Sequence, residues 1–339
     1  MSEIIKIAID AMGGDFAPDN EIDGAILAAS ENKSNLHLIL TGDEKFLAAE
    51  LNKRKNIPSN ISIVNATEVI TMDDSPSETF KTKPDSSLAV ALNLVKSGKA
   101  NGCISAGNTG AVLFNSTFKL GRLDKVGRPT IGSIFPTTGD ITMVFDVGAS
   151  VDCKPIHLFQ YAIMGSMYMD IMYGIKNPSV GLLNVGEEKS KGDELTIKTY
   201  ELLSNSKLNF IGNVEGRDIL KGKCNVVICD GFVGNVILKF AESVLDFLKT
   251  SFKNYADESV MKKIKVGMMR GTMKDVLKRF DYQNYGGVPL LGVKGISIIG
   301  HGKSSPLAIK NMIMKAVEVH KKDLINRTEN ELRTINFSV

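Results

Sequence analysis

The sequence predicts an α/β fold in three layers, a mostly parallel sheet held between helices, and three observations carry that prediction. Short apolar and β-branched runs alternate along the chain with longer stretches of helical periodicity. Several of the short runs are apolar throughout, the pattern of strands covered on both faces. Glycine-bearing polar turns follow many of them, as βα turns do at the carboxyl edge of an open parallel sheet. With 339 residues, 43% hydrophobic and 23% charged, the chain can bury a large core. We expect one α/β domain over residues 1–339, with a basic helical excursion at about 256–282.

Strands are expected at 4–9, 36–41, 61–65, 102–105, 141–147, 180–185, 226–230 and 295–299. Helical periodicity predicts helices at 19–30, 86–97, 109–120, 155–173, 193–203, 235–255 and 306–324. Pro155 and Pro306 suit a first helical turn, where a missing N–H is harmless. Strands separated by helices imply parallel pairing through right-handed crossovers. Three stretches interrupt the alternation. Residues 73–87 are polar and proline-punctuated and are expected as a long loop; 121–129 is a polar link; 256–294 is basic and methionine-rich, then glycine-rich.

A net charge of +3 is small for this length and argues against a nucleic-acid partner. The first residues lack the basic flank and apolar core of a signal peptide, and no run approaches the ~18 apolar residues of a membrane span. The four cysteines (Cys103, Cys153, Cys224, Cys229) show no CxxC and read as reduced core residues. A cytoplasmic location is expected.

Five turns combine glycine with polar side chains: 10–15, 105–110, 146–148, 184–188 and 230–235. Small residues there let backbone N–H groups approach an anion, and the following helix adds its positive end. Residues 105–110, Ser-Ala-Gly-Asn-Thr-Gly, make the best anion cradle. No GxGxxG occurs, and 297–304 misses a P-loop because Ser297 stands where its first glycine belongs, so no nucleotide cofactor is expected. His37, His157, His301 and His320 show no metal-ligand spacing; only His301, between two glycines, is placed like a site residue, and a turn role fits it equally well. No GxSxG elbow appears. Residues 260–280 hold seven Lys/Arg against one acid, with apolar side chains largely on one side. Such a helix suits an anionic membrane or an acidic partner, and the alternative is an ordinary surface helix with its methionines on the core. Gly267 and Gly271 are expected to break it into two short helices or a hairpin.

Taken together, IAIDAMGGDFAP, KPDSSLAVA, SAGNTGA, RP, DVGA, NVGEE with KG, NVEGRDI, DGFVGNVILK and YGGVPLLGVKG with HG, in this order, resemble the PlsX family of acyl-acyl carrier protein:phosphate acyltransferases over nearly the whole chain. Ser150 and Asp193 stand where that family usually has Asn. The resemblance implies a fold related to isocitrate dehydrogenase and phosphotransacetylase, a homodimer, and no nucleotide cofactor. It also implies peripheral membrane association, with acyl phosphate passed to a membrane glycerol-3-phosphate acyltransferase.

Such a reaction needs donors and cations around two anions. Catalytic roles are expected at Asn108, Thr109, Lys191, Arg217, Asp230 and His301. Phosphate or substrate contacts are expected at Asp10, Gly13, Gly14, Asp15, Lys83, Ser105, Gly107, Gly110, Asn184, Gly234 and Asn235. Lipid or carrier contact is expected at Lys262, Lys263, Lys265, Met268, Met269, Arg270, Met273 and Lys274. No general base is assigned, and transfer is expected to be direct because no cysteine has a paired base. A dehydrogenase on the related fold and a non-catalytic membrane scaffold of lipid synthesis remain the alternatives.

Overall fold

The computed structural model describes residues 3–32, 34–139, 141–277 and 286–335. The first half runs β1 (Ile5–Asp10), α1 (Asp19–Glu31), β2 (Leu36–Gly42), α2 (Glu44–Asn52), β3 (Ile61–Asn65), α3 (Pro76–Thr82), α4 (Ser87–Lys96), β4 (Gly102–Ser105) and α5 (Thr109–Leu120). Next come β5 (Thr130–Pro136), β6 (Ile141–Phe145), α6 (Pro155–Tyr173), β7 (Val180–Leu183), α7 (Glu194–Ser204), β8 (Phe210–Val214), α8 (Gly216–Ile219) and β9 (Val226–Ile228). The chain finishes with α9 (Gly231–Asp257), α10 (Val260–Leu277), β10 (Val288–Leu291), β11 (Ile296–Ile299), α11 (Pro306–Lys321) and α12 (Leu324–Thr334).

The eleven strands among the described residues join one sheet in the order β3-β2-β1-β4-β11-β10-β5-β6-β9-β7-β8. Side chains alternate across it as the pleat requires. Ile7 and Ile9 enter a core with α1, α6, α11 and α12, while Ala8 enters a second core with α4 and α5. The three-layer arrangement follows.

Pairing is parallel except around β10 and β5. β10 is antiparallel to both β11 and β5, and β5 is antiparallel to β6. β5 therefore runs with β11, and β6 reverses again, taking its parallel partners β9, β7 and β8 with it. The carboxyl ends of β1, β4 and β11 thus point one way along the sheet, and those of β6, β9 and β7 the other. The glycine turns are sorted into two groups by this reversal.

β5, β8 and β10, which are not among the strands expected from the sequence, lack an unbroken apolar run, being interrupted by Gly132, Gly212 and Pro289. Gly132 is required by its neighbour, because it pairs across the sheet with Phe145, whose ring occupies the space a Cβ would take. Helices α2, α3, α8 and α12 are likewise additional. The expected loop at 73–87 contains α3, entered through Pro76 at a first-turn position.

The basic segment also departs from expectation. α10 is one continuous helix through Gly267 and Gly271, each costing about 1 kcal/mol relative to alanine. It packs against α9, a helix of 27 residues, about 40 Å long. Within α9 only Gly231 and Gly234 are buried, and Phe232, Val236, Phe240, Val244 and Phe247 recur along it in exposed positions. No helix among the described residues is long and apolar enough to cross a membrane.

Candidate active site

The first group of turns lies at the carboxyl ends of β1, β4 and β11. Asp10 ends β1 and is buried, accepting hydrogen bonds of 2.6 Å from both Ser87 Oγ and Ser105 Oγ. Burial raises its pKa, and the two hydroxyls act against that rise. Gly13 and Gly107 bring the two turns into backbone contact: a Cβ on Gly107 would lie 3.2 Å from the Gly13 Cα. Asp15 N donates to Gly302 O at 2.8 Å, which ties the β11 turn to the pair. His301 has a turn role there, its Nδ1 accepting from Lys303 N at 3.2 Å and its carbonyl accepting from Ser304 Oγ at 2.6 Å.

Asn108 caps α5, its Oδ1 accepting from Ala111 N at 3.1 Å. Its Nδ2 faces the carbonyls of Thr71, Met72 and Asp74 at 3.4, 3.1 and 3.2 Å, so the amide holds the strap ahead of α3. Lys83 fastens the same strap, donating to Asp74 Oδ2 at 2.5 Å and Val69 O at 2.8 Å. These two side chains, expected to act directly on the substrate, are engaged in holding the strap. What the turns leave open is backbone. The N–H groups of Gly13, Gly14, Asn108, Thr109 and Gly110 have no acceptor among the described residues, and the last two open α5 at its positive end.

Sequence reasoning missed Glu21. It lies on α1 with Ile22, Ala25, Ala28 and Ala29, all buried, and its own exposure is 2%. Its Oε1 stands where a Gly14 side chain would begin, and its Oε2 has no hydrogen-bond partner among the described residues. Burial first, and then the charges of Asp10, Asp19 and Asp15, push its pKa up to about 8. The signal was present as an acid one position from the buried stripe of an amphipathic helix.

The second group lies at the carboxyl ends of β6, β9 and β7. Asp146 accepts from Ala149 N at 3.0 Å and Ser150 N at 2.7 Å, and burial raises its pKa to about 6 against those donors. Asp230 caps α9, accepting from Phe232 N at 2.9 Å and Val233 N at 3.0 Å. Gly231 N donates to Ser150 O at 2.8 Å, Gly234 packs on the Asp146 carbonyl, and Asn235 sits beside Gly148. Asn184 organises its own turn, donating to Lys191 O at 2.9 Å and accepting from Val185 N at 2.8 Å. Arg217 is paired with Glu215 at 2.9 Å. Lys191, Arg217 and Asp230 therefore belong with the second group, and Asn108, Thr109 and His301 with the first.

Both departures from the expected asparagines have a local account. Ser150 supplies backbone N–H and carbonyl to Asp146 and Gly231, contacts that do not depend on side-chain identity. Asp193 caps α7 by accepting from Thr196 N at 2.8 Å, a role Asp and Asn share.

The cysteine thiols are poor nucleophiles. Burial pushes Cys103 and Cys224 up to about 12 and Cys229 well above its ordinary value. Half-buried Cys153 is raised by the same cause and contacts Ser150 O at 3.3 Å and Tyr161 Oη at 3.8 Å.

On α10, Met268 and Met269 are 74% and 54% exposed, so these methionines face outward rather than into a core. Lys262 pairs with Glu258 and lies 4.6 Å from the Tyr255 ring centre. Lys278, Arg279 and Phe280, the end of the predicted basic stretch, lie outside the described residues.

The family described as fatty acid synthesis protein matches residues 5–327. A curated relative from Halothermothrix orenii, a phosphate acyltransferase, is 45% identical over 97% of this chain and 98% of its own. One of the same name from Endomicrobium trichonymphae is 46% identical over 94% of this chain and 95% of its own. A phosphotransacetylase structure from Streptococcus pyogenes superposes with a TM-score of 0.63 at 16% identity, covering 95% of this chain and 94% of that one, which shows the shared fold. Identity of this order, sustained from end to end of both chains, places the protein in the PlsX family of phosphate acyltransferases, as an acyltransferase enzyme.

Proposed function

We propose that this chain transfers a fatty acyl group from a thioester on acyl carrier protein to inorganic phosphate, releasing acyl phosphate. The observation that carries this reading is the pair of glycine turns from β1 and β4 in backbone contact, with five N–H groups that have no acceptor among the described residues. Donors of this kind suit an oxyanion or a phosphate, and they need no reorganisation as charge develops. A phosphate oxygen attacks the thioester carbon, forming the C–O bond. The tetrahedral intermediate then collapses by breaking C–S, and the thiolate takes up the proton that phosphate gives up. A thiol of ordinary pKa, about 8.5, leaves without strong acid assistance. Asp10 positions Ser105 and Ser87 under the cradle, and the raised cysteine thiols favour direct transfer over an acyl-cysteine. Membership of a phosphate acyltransferase family sets aside the dehydrogenase alternative.

Two exposed surfaces fit the rest of this reading. The apolar stripe of α9 is proposed as the homodimer contact, and the basic methionine face of α10 as the contact with anionic lipid. Acyl phosphate formed there would pass to a membrane glycerol-3-phosphate acyltransferase. The test incubates purified protein with acyl-carrier thioester, with and without phosphate, and follows carrier thiol and hydroxylamine-trapped acyl phosphate. Phosphate-dependent release of thiol, matched by trapped product, is expected. Thiol release indifferent to phosphate would sink the proposal.

A further inference from the structure

We propose that the face built by α3 and the last turns of α5 is where the acidic carrier protein docks. This rests on the reading of the chain as an acyltransferase fed by a carrier-borne thioester. Gly110, Phe114 and Phe118 fall four residues apart on one side of α5, and α3 lies along them with Pro76 against Gly110 and Phe80 against the two rings. Ring centres are 4.4 Å apart for Phe114 and Phe118 and 5.7 Å apart for Phe80 and Phe118. Phe118 ends the cluster at 58% exposure. It stands eight residues beyond the cradle glycine, about 12 Å along the helix.

Lysines close the three helices that pack together here. Lys81, Lys96 and Lys119 sit in the last turns of α3, α4 and α5, and none has a carboxylate partner among the described residues. Lys119 Nζ lies 5.4 Å from the Phe80 ring centre. Burial, and then the charge of Lys96, lowers its pKa, so two like charges are held near each other without an internal counter-ion. Helix dipoles favour one lysine at each of these ends, yet they do not account for an exposed aromatic centre among them. Glu78, one turn before Lys81, is the acid on α3. An exposed aromatic cluster with Lys119 against Phe80, Lys96 near Lys119 and Lys81 next to Phe80 in the chain, one short helix from the cradle, fits an acidic protein partner whose thioester must reach that cradle.

The test compares wild type with Phe118→Ala and with the surface variant Lys81→Glu plus Lys96→Glu. Two donors are used, an acyl-carrier thioester and the corresponding acyl-pantetheine. Each variant is expected to raise KM for the carrier donor about tenfold, leaving kcat, KM for phosphate and turnover of acyl-pantetheine unchanged. The lysine variant should also flatten the salt dependence of the carrier reaction. An unchanged KM for the carrier donor in both variants overturns the proposal. So does conversion to monomer on sedimentation, which would assign the face to a second copy, or lost vesicle binding with carrier KM intact, which would assign it to lipid. Equal loss with both donors also counts against docking, because it indicates damage to the cradle. Absence of acyl phosphate from wild type with either donor defeats the underlying transferase reading instead, and the docking proposal with it.

Discussion

Replacing Glu21 by Gln should make the protein more stable, and increasingly so as pH rises from 5 to 8. The carboxyl is 2% exposed, its Oε2 lacks a partner among the described residues, and the charges of Asp10, Asp19 and Asp15 act on it. In the unfolded chain it ionises near its ordinary 4.5, whereas in the fold it holds its proton up to about 8. Between those values the folded state binds more protons than the unfolded state, so stability falls as pH rises through the window. Moving a carboxyl from 4.5 to about 8 corresponds to a cost on the order of 4 kcal/mol at pH 8, lost progressively from about pH 5 upward. Glutamine keeps the shape of the protonated acid and has nothing to ionise. Urea unfolding of both proteins at fixed protein concentration, at pH 5, 6, 7 and 8, measures the difference directly. The gap should open by several kcal/mol, with wild type falling away from the variant. Asp10 is common to both and drops out of the comparison. A gap that stays constant from pH 5 to 8 would falsify the assignment of a protonated Glu21. The consequence for function is local: with its proton in place, no additional negative charge stands behind Gly14 on the turn proposed to hold phosphate.

Asn108→Ala removes the α5 cap and the bonds that hold 71–74, and should raise KM for phosphate while costing about 1–2 kcal/mol of stability; unchanged phosphate kinetics would show that the strap does not shape the cradle. Cys153→Ser and Cys229→Ser should each keep most of the activity, since burial disfavours both thiolates; an acylated peptide carrying either cysteine, found by mass spectrometry, would overturn direct transfer. Met268→Asp with Met269→Asp should release the protein from anionic vesicles and leave turnover of the soluble carrier donor nearly unchanged, because both side chains are exposed on α10. Vesicle binding that survives this change would remove the methionine face from the membrane contact.

The parts of the fold legible in the sequence were those where one local pattern suffices. β1 is apolar and buried but for the exposed Lys6 and ends at the buried Asp10, and α6 runs from a first-turn proline, Pro155, to the residue before Gly174 in a left-handed cap. β5 and β10 were not legible, because a strand carrying Gly132 or Pro289 exists through its partners: Phe145 fills the space over the glycine, and β10 is flanked by antiparallel neighbours. The same two strands reverse the sheet. A sequence pattern reports that strands are covered on both faces, but which way each one runs depends on pairings far apart in the chain.

That reversal decides how far a site can be read from motifs. Each of the five glycine turns was recognisable by itself, since each carries small residues and a cap or an acid at the end of a strand. Their grouping was not, because it depends on β6 running against β4. Lys191 and Arg217, which as residue types look like partners for an anion at 105–110, lie instead with the turns of the second group, the latter held by Glu215. Asn108 and Lys83 look like ligands by type and serve as fasteners by geometry, each bonded to the strap before α3. What remains at these turns for the proposed anion is chiefly main-chain N–H, the one donor that every residue except proline carries and that residue type therefore cannot reveal. Glycine was the trace it left, because only where side chains are absent can two such turns press their backbones together, as Gly13 and Gly107 do.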